Sequence, residues 1–335
     1  MPETLIPSQD EILKAADHLQ KIIIHTPLIP SQTIADQLGA KDVRIKAESM
    51  QWTGSFKVRG AFWRCMQLTE AERKVGVVAY SSGNFAQGLA AAANLLEIPA
   101  TIVMPIDAPE IKQKRTAAYG ANIVLSDHGS RPREEVASGI AQALAKDKGL
   151  TLLHPFDDPW IIAGHASAAV EVIEELTRSG EPLPDVVLSS VGGGGFMAGL
   201  AMGFHYLAPE VEMVVVEPEG YDSFGASIGA KKITRVLGDH TTICDALQAT
   251  SPGKAPFACA QFAGIQSRLT VKDHSVLKAM RLAFETLKLV LEPSGAVAIA
   301  ALLEHSDRFK GKRVVAFTTG GNITIEDFTK FFTTE

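Results

Sequence analysis

Val186-Val187-Leu188-Ser189-Ser190-Val191-Gly192-Gly193-Gly194-Gly195-Phe196 passes directly from a largely β-branched, apolar run into four consecutive glycines. The apolar run reads as a strand buried on both faces of a parallel sheet. The glycines allow the backbone to wrap closely around an anion, and the helix that follows adds partial positive charge at its N-terminus, a combination that suits a phosphate. The loop is not a Walker loop, because the Lys-Ser/Thr end is missing. It is not the dinucleotide fingerprint either, because Gly193-x-Gly195 is followed by Gly199 rather than by a glycine at the third place on. A flexible turn is the bland alternative.

Outward from this stretch, similar short runs recur at Val75–Tyr80, Thr101–Met104, Asn122–Leu125, Leu150–His154, Glu212–Val216 and Val314–Phe317. Helical stretches lie between them: Ala86–Leu96 is rich in Ala and Leu, and Glu134–Lys146 and Ala168–Arg178 carry apolar residues at helical spacing. Alternation of this kind predicts an α/β fold of open, mostly parallel twisted sheets flanked by helices. The strands fall into one group before about residue 154 and another after about residue 186, compatible with two sheets. The length of 335 residues fits two domains or one large α/β unit.

Composition narrows the function. With 46% hydrophobic and 21% charged residues, the chain is not a disordered one. A net charge of −6, with no Lys/Arg cluster, argues against nucleic acid as a partner. No apolar run reaches the ~18–20 residues of a membrane span, and the N-terminus shows no secretory pattern. Cys65, Cys244 and Cys259 are an odd, scattered set that fits neither a disulfide framework nor a zinc site, so a reducing, cytoplasmic setting is expected.

Three further segments sit where chemistry is expected, at strand ends and before helices. In Gly54-Ser55-Phe56-Lys57-Val58-Arg59-Gly60 the lysine lies in an apolar setting, and desolvation would favour its neutral, nucleophilic form; a snorkelling surface lysine is the alternative. Ser81-Ser82-Gly83-Asn84 follows a strand and precedes an Ala-rich helix. It is either a plain N-cap turn or a set of donors for an anion such as a carboxylate. Thr318-Thr319-Gly320-Gly321-Asn322 offers a neutral hydroxyl at a strand end, or a simple turn. Together, a phosphate cradle, a desolvated lysine, an Asn and a neutral hydroxyl are the parts needed to hold pyridoxal phosphate.

On these residues the sequence resembles the fold-type II pyridoxal-phosphate enzymes, in the threonine/serine dehydratase and serine racemase branch, whose architecture is like that of the tryptophan synthase beta chain. Val216-Glu217-Pro218, Glu292-Pro293-Ser294-Gly295-Ala296 and Thr319-Gly320-Gly321-Asn322 extend the match, in the family's order, over almost the whole chain. The resemblance implies that Lys57 holds the cofactor through its amine, with Phe56 beside it. Asn84 would meet the phenolic oxygen, Gly192, Gly193, Gly194 and Gly195 the phosphate, and Thr319 the ring nitrogen. Ser81, Ser82 and Gly83, with Asn84, would bind the substrate carboxylate. It further implies a small domain over residues 76–153, a large cofactor-binding domain over 1–75 plus 154–335, a short form without a regulatory domain, and a homodimer.

The implied activity is α,β-elimination from a β-hydroxy amino acid (L-threonine, L-serine or 3-hydroxyaspartate) to a 2-oxo acid and ammonia. Lys57 removes the Cα proton, and the hydroxyl leaves with help from an acid such as the cofactor phosphate. The alternative is an amino-acid racemase using Lys57 and Ser82 on opposite faces of the substrate.

Some positions depart from the family pattern. Phe85 stands where a polar residue often follows the Asn, and Gly164-His165-Ala166-Ser167 where relatives commonly read Gly-Gln-Gly-Thr; both are expected near the entrance. His165 reads as a specificity residue or as a satisfied structural histidine. The family's Mg²⁺ or Ca²⁺ site would retain Glu217 and the Tyr221 carbonyl, but its last acidic position is Ser223, which weakens it; Glu217 reads equally as a helix cap. Arg131 or Arg133 facing the pocket would favour 3-hydroxyaspartate, whereas a solvated pair beside Glu134 and Glu135 is the alternative. Met197–Phe204 reads as core or as an interface.

Overall fold

The computed structural model describes residues 4–108, 110–131 and 133–333. Met1–Glu3, part of the N-terminal reading above, lie outside the described residues. Ten strands form two sheets: β1 Leu28–Pro30, β2 Asp42–Ala47, β3 Val77–Tyr80, β4 Ala100–Pro105, β5 Asn122–Ser126, β6 Thr151–Leu152, β7 Val186–Ser190, β8 Glu212–Pro218, β9 Ser267–Val271 and β10 Arg313–Thr318. The larger sheet has the order β1-β2-β10-β7-β8-β9, and the smaller one the order β5-β4-β3-β6. All pairings are parallel except β1 with β2. This is the α/β architecture expected from the sequence.

The central strands β7, β8 and β10 are buried along almost their whole length, which explains their unbroken apolar runs. The strand expected from Val75 begins two residues later. Thr69 and Glu72 form a capping box that starts the Glu70–Val75 helix, and Val75 closes that helix in an exposed position.

Met197–Phe204 is core. It lies in the Gly195–Leu207 helix, which packs along the Pro159–Arg178 helix and against β7 and β8 residues. The three cysteines are free and buried. Among the described residues no helix is long and apolar enough to cross a membrane.

Parallel strands send all their carboxyl ends to one side of a sheet, and the connecting loops gather there. The Gly192–Gly195 loop leaves β7, Thr319 leaves β10 and Ser81–Gly83 leave β3. Asn84, at the start of the helix after β3, bonds Glu292 and Asn322 of the larger-sheet half, which brings these ends together.

Candidate active site

The segment carrying Lys57 is stitched to the end of β10. Ser55 and Gly320 form an antiparallel bridge, Gly321 N–H donates to the Gly54 carbonyl at 2.9 Å, and Phe56 N–H donates to the Thr319 carbonyl at 3.3 Å. Lys57 opens the Lys57–Met66 helix. Two residues on, Arg59 points the other way into a fully buried ion network. Its guanidinium reaches Glu48 Oε2 at 2.7 Å and Glu171 Oε1 at 2.6 Å, and Lys46 Nζ reaches Glu171 Oε2 at 2.7 Å. Two cations balance two anions, and the network anchors the helix between β2 and the Pro159–Arg178 helix.

Among the described residues the Lys57 amine has no carboxylate partner. Its Nζ lies 3.3 Å from the Pro155 carbonyl and 5.0 Å from the centre of the Phe56 ring, which in turn stacks on Phe196 at 4.1 Å. Burial lowers its pKa to about 8, which raises the free-amine share near neutrality to about a tenth, far above that of an ordinary lysine. A snorkelling surface lysine is not what the structure holds.

Across the cleft, Gly194 has φ +97°, a left-handed conformation that favours glycine, and a Cβ there would meet the Phe224 ring. Gly193 is covered by Phe156 in the same way, and its carbonyl accepts from Gly253 N–H at 3.0 Å. The Gly195–Leu207 helix begins here, so its first-turn N–H groups face the loop without helical partners. Thr319 Oγ1 is 3.1 Å from Ser190 Oγ, a neutral hydroxyl pair between the ends of β10 and β7.

Ser81 continues β3 through its N–H to the Val103 carbonyl at 3.1 Å. Gly83 N–H turns back to Ser81 Oγ at 3.2 Å, and open space lies where a Gly83 Cβ would be. Asn84 starts the Asn84–Leu95 helix and is held from two sides. Its Nδ2 donates to Glu292 Oε1 at 2.6 Å, and its Oδ1 accepts from Asn322 Nδ2 at 2.8 Å. With the oxygen engaged, Asn84 presents a remaining N–H, the polarity an anionic oxygen requires.

Buried polar atoms are normally partnered, yet Thr53 Oγ1, Ser55 Oγ and Gln87 Nε2 are buried with none. Thr53 and Ser55 lie in the turn before Lys57, and Gln87 lies one turn beyond Asn84. Unsatisfied hydroxyl and amide groups, a glycine cradle at a helix N-terminus, and a free amine are a donor set that fits pyridoxal phosphate and an amino-acid carboxylate. Lys57, Phe56, Ser81, Ser82, Gly83, Asn84, Gly192–Gly195 and Thr319 thus all lie at the facing carboxyl ends of the two sheets.

Other positions turn out differently. Phe85 is not at the entrance; it is buried in the core beneath the helix. His165 is also away from the entrance, fully buried edge-on to Phe56 at 4.9 Å. It is structural in location but not satisfied, because neither ring nitrogen has a partner among the described residues. Burial, then the Lys57 and Arg59 charges, holds its pKa well below the ordinary range, so the ring stays neutral. Arg133 pairs with Asp107 at 3.1 Å rather than with Glu134 or Glu135. Arg131 is exposed and lines a surface cavity with Asp127 and Glu135.

Glu217 caps a helix. Its two oxygens accept from Phe224 N–H and Gly225 N–H, both at 2.8 Å, at the start of the Ser223–Ala230 helix. Ser223 Oγ donates to the Ala249 carbonyl. Burial pushes the Glu217 carboxyl up to about 8. One capping carboxylate and the Tyr221 carbonyl fall short of the oxygen set that Mg²⁺ or Ca²⁺ takes. Among the described residues no group of three or more His, Cys, Asp or Glu gathers for a metal.

Two features escaped the sequence reading. Glu292 lies in a motif already noted, but nothing in the sequence shows that its carboxylate bonds Asn84. The turn His154-Pro155-Phe156 reads as a strand end, yet it touches the amine through Pro155 and covers the glycine loop through Phe156.

The family model described as "Pyridoxal-phosphate dependent enzyme" matches residues 19–320. The chain belongs to this family. It is 39% identical over 323 residues to an L-threo-3-hydroxyaspartate ammonia-lyase of Pseudomonas sp, covering 96% of this chain and 98% of the relative. A serine racemase of Schizosaccharomyces pombe is 34% identical over 327 residues, covering 98% of each. Among solved structures, a threonine deaminase from T.th. superposes with a TM-score of 0.88 at 37% identity, covering 95% of this chain and 99% of that one. The sheet order and the site loops therefore sit in a fold shared with lyases and a racemase.

Proposed function

We propose that the chain is a pyridoxal-phosphate dependent ammonia-lyase that converts a β-hydroxy amino acid, L-threonine, L-serine or 3-hydroxyaspartate, into a 2-oxo acid and ammonia. The observation that carries this reading is the desolvated Lys57 amine, which has no carboxylate partner among the described residues and lies 3.3 Å from the Pro155 carbonyl, next to the Phe156 that covers the glycine loop. Likeness to the Pseudomonas lyase supports the substrate class.

Pyridoxal phosphate, when bound, supplies the electron sink that makes the Cα proton removable. Gly192–Gly195 would bind its phosphate, Asn84 would donate to its phenolic oxygen, and Phe56 would lie beside it. Thr319, a neutral hydroxyl paired with Ser190, would bond the ring nitrogen without protonating it, which would favour prompt elimination. Ser81, Ser82 and Gly83 bind the substrate carboxylate and so aim Cα–H at Lys57. The Lys57 amine, poised near neutrality, takes that proton. The segment 76–153 forms a small domain, and 1–75 plus 154–335 the large cofactor-binding domain. A cytoplasmic homodimer fits the three free buried cysteines and the family resemblance. A Glu217 that caps a helix leaves Mg²⁺ or Ca²⁺ outside the proposed reaction.

Racemisation through Lys57 and Ser82 is the second reading, favoured by likeness to the S. pombe racemase. The deciding experiment supplies both enantiomers of threonine, serine and the 3-hydroxyaspartates, with and without chelator. Keto acid and ammonia from at least one substrate are expected. Inverted substrate with no keto acid moves the assignment to racemase, and inertness toward all of them removes both.

A further inference from the structure

His154 follows β6, with its ring edge-on to Tyr80 and to Phe156. Its Nδ1 accepts two backbone hydrogen bonds, from Phe156 N–H at 3.3 Å and Asp157 N–H at 2.9 Å. A nitrogen that accepts carries no proton, so these donors fix the tautomer, and the neutral ring bears its hydrogen on Nε2. Burial, then the Lys57 charge, lowers the imidazole pKa, opposed by Asp157 and Asp158, and this keeps the ring neutral.

Nε2 lies on the ring edge opposite Nδ1, away from the turn that holds the ring. Among the described residues it has no protein partner, and it is not one of the buried orphans. One neighbour of the ring is Tyr80, edge-on at 6.0 Å, the residue before Ser81-Ser82-Gly83; another is Phe156, edge-on at 4.6 Å, which covers the glycine loop. The next residue, Pro155, gives its carbonyl to Lys57 Nζ. The ring with the unpartnered N–H thus packs on the residue that leads into the carboxylate-binding loop, and the residue after it holds the base. A substrate whose carboxylate is held by that loop and whose Cα–H faces Lys57 would have its Cβ substituent on the side from which His154 can reach it.

We propose that the Nε2–H of His154 is a hydrogen-bond donor to the substrate oxygen that leaves from Cβ, which makes His154 a specificity residue for β-hydroxy substrates. The inference rests on the ammonia-lyase reading and adds a residue to it. His154 keeps its proton, because neutral imidazole is too weak an acid to give it up. The Cα–H electron pair becomes the second Cα–Cβ bond, and the Cβ–O pair departs on oxygen. The proton lifted by Lys57 balances that oxygen as water. The hydrogen bond steadies the charge growing on oxygen as the bond breaks.

The test compares the hydroxy substrate that wild type turns over with β-chloro-L-alanine, whose chloride leaves without a proton and accepts hydrogen bonds poorly. Two variants without a donor, His154→Phe and His154→Met, and one that keeps a donor, His154→Gln, are loaded with cofactor. Borohydride-fixed cofactor confirms that each site is occupied. The donorless variants are expected to lose about 10–100-fold in kcat on the hydroxy substrate and under about threefold on chloroalanine, with His154→Gln close to wild type. Equal losses on both substrates, or none on either, overturn the proposal while leaving the lyase reading standing. A wild type inert toward every hydroxy amino acid overturns both.

Discussion

Asn84 Nδ2 lies 2.6 Å from Glu292 Oε1, a hydrogen bond that runs from the helix after β3 in the smaller sheet to the Pro293–Glu304 helix behind the larger one. Asn322 completes the clamp by donating to Asn84 Oδ1 and to the Thr53 carbonyl, each at 2.8 Å. The orientation of the Asn84 amide is therefore decided by residues from the opposite half of the molecule.

Glu292 gives this clamp a pH dependence. Burial pushes its carboxyl up to about 7, and Asp245 adds to the effect while Asn84 and Lys112 oppose it. A carboxyl at 4.5 when unfolded and about 7 when folded favours the fold in its protonated form. That contribution is complete below the unfolded value and is lost as pH rises through the folded one. Unfolding by denaturant should show Glu292→Gln losing less stability than wild type across that window. Parallel pH profiles for the two proteins would count against the assignment.

Arg59 is the keystone of the buried ion network, bonded to Glu48 and Glu171 with no exposure of its own. Arg59→Leu leaves two carboxylates without their shared cation, a loss of about 3–5 kcal/mol in unfolding free energy. Denaturant titration of the cofactor-free protein measures it. A change below about 1 kcal/mol would mean that the network contributes little.

Gly194→Ala should weaken pyridoxal phosphate binding by about 10–100-fold, because the φ of +97° strains alanine and Phe224 fills the space for its Cβ. Gly180→Ala is the control: it too has a left-handed φ, +69°, but nothing crowds its Cβ. Fluorescence titration with the cofactor distinguishes the two. Equal affinity for both variants would remove Gly192–Gly195 from the phosphate site.

Ser82→Ala separates the two proposed reactions. Elimination from the L-substrate should fall less than about tenfold, since neighbouring Ser81 and Gly83 still bind the carboxylate. Any racemisation should vanish. Chiral chromatography of recovered substrate, beside a keto-acid assay, reads both at once.

Much of this was legible in the chain. Buried parallel strands such as Val186–Ser190 are apolar throughout, and four glycines after one of them have few other uses. Strand β2 was not legible, because Asp42-Val43-Arg44-Ile45-Lys46-Ala47 carries charges. Lys46 is tolerated there because Glu171, 125 positions away, neutralises it. Strand β9, Ser267–Val271, is half-polar because it is an edge. The partners of Asn84 and His154 depend on long-range contacts or backbone donors, which leave no local signature. For Glu217 the sequence left a metal ligand and a helix cap open, and the backbone of Phe224 and Gly225 gives the cap.

The account depends most directly on the Lys57 amine, whose burial-lowered pKa of about 8 makes it a nucleophile near neutral pH. Purified protein is incubated with pyridoxal phosphate, reduced with borohydride, digested and mapped by mass spectrometry. The account predicts a single phosphopyridoxyl group on Lys57 and none in Lys57→Ala. A colourless protein with no adduct, or an adduct on another lysine that survives in Lys57→Ala, would contradict it.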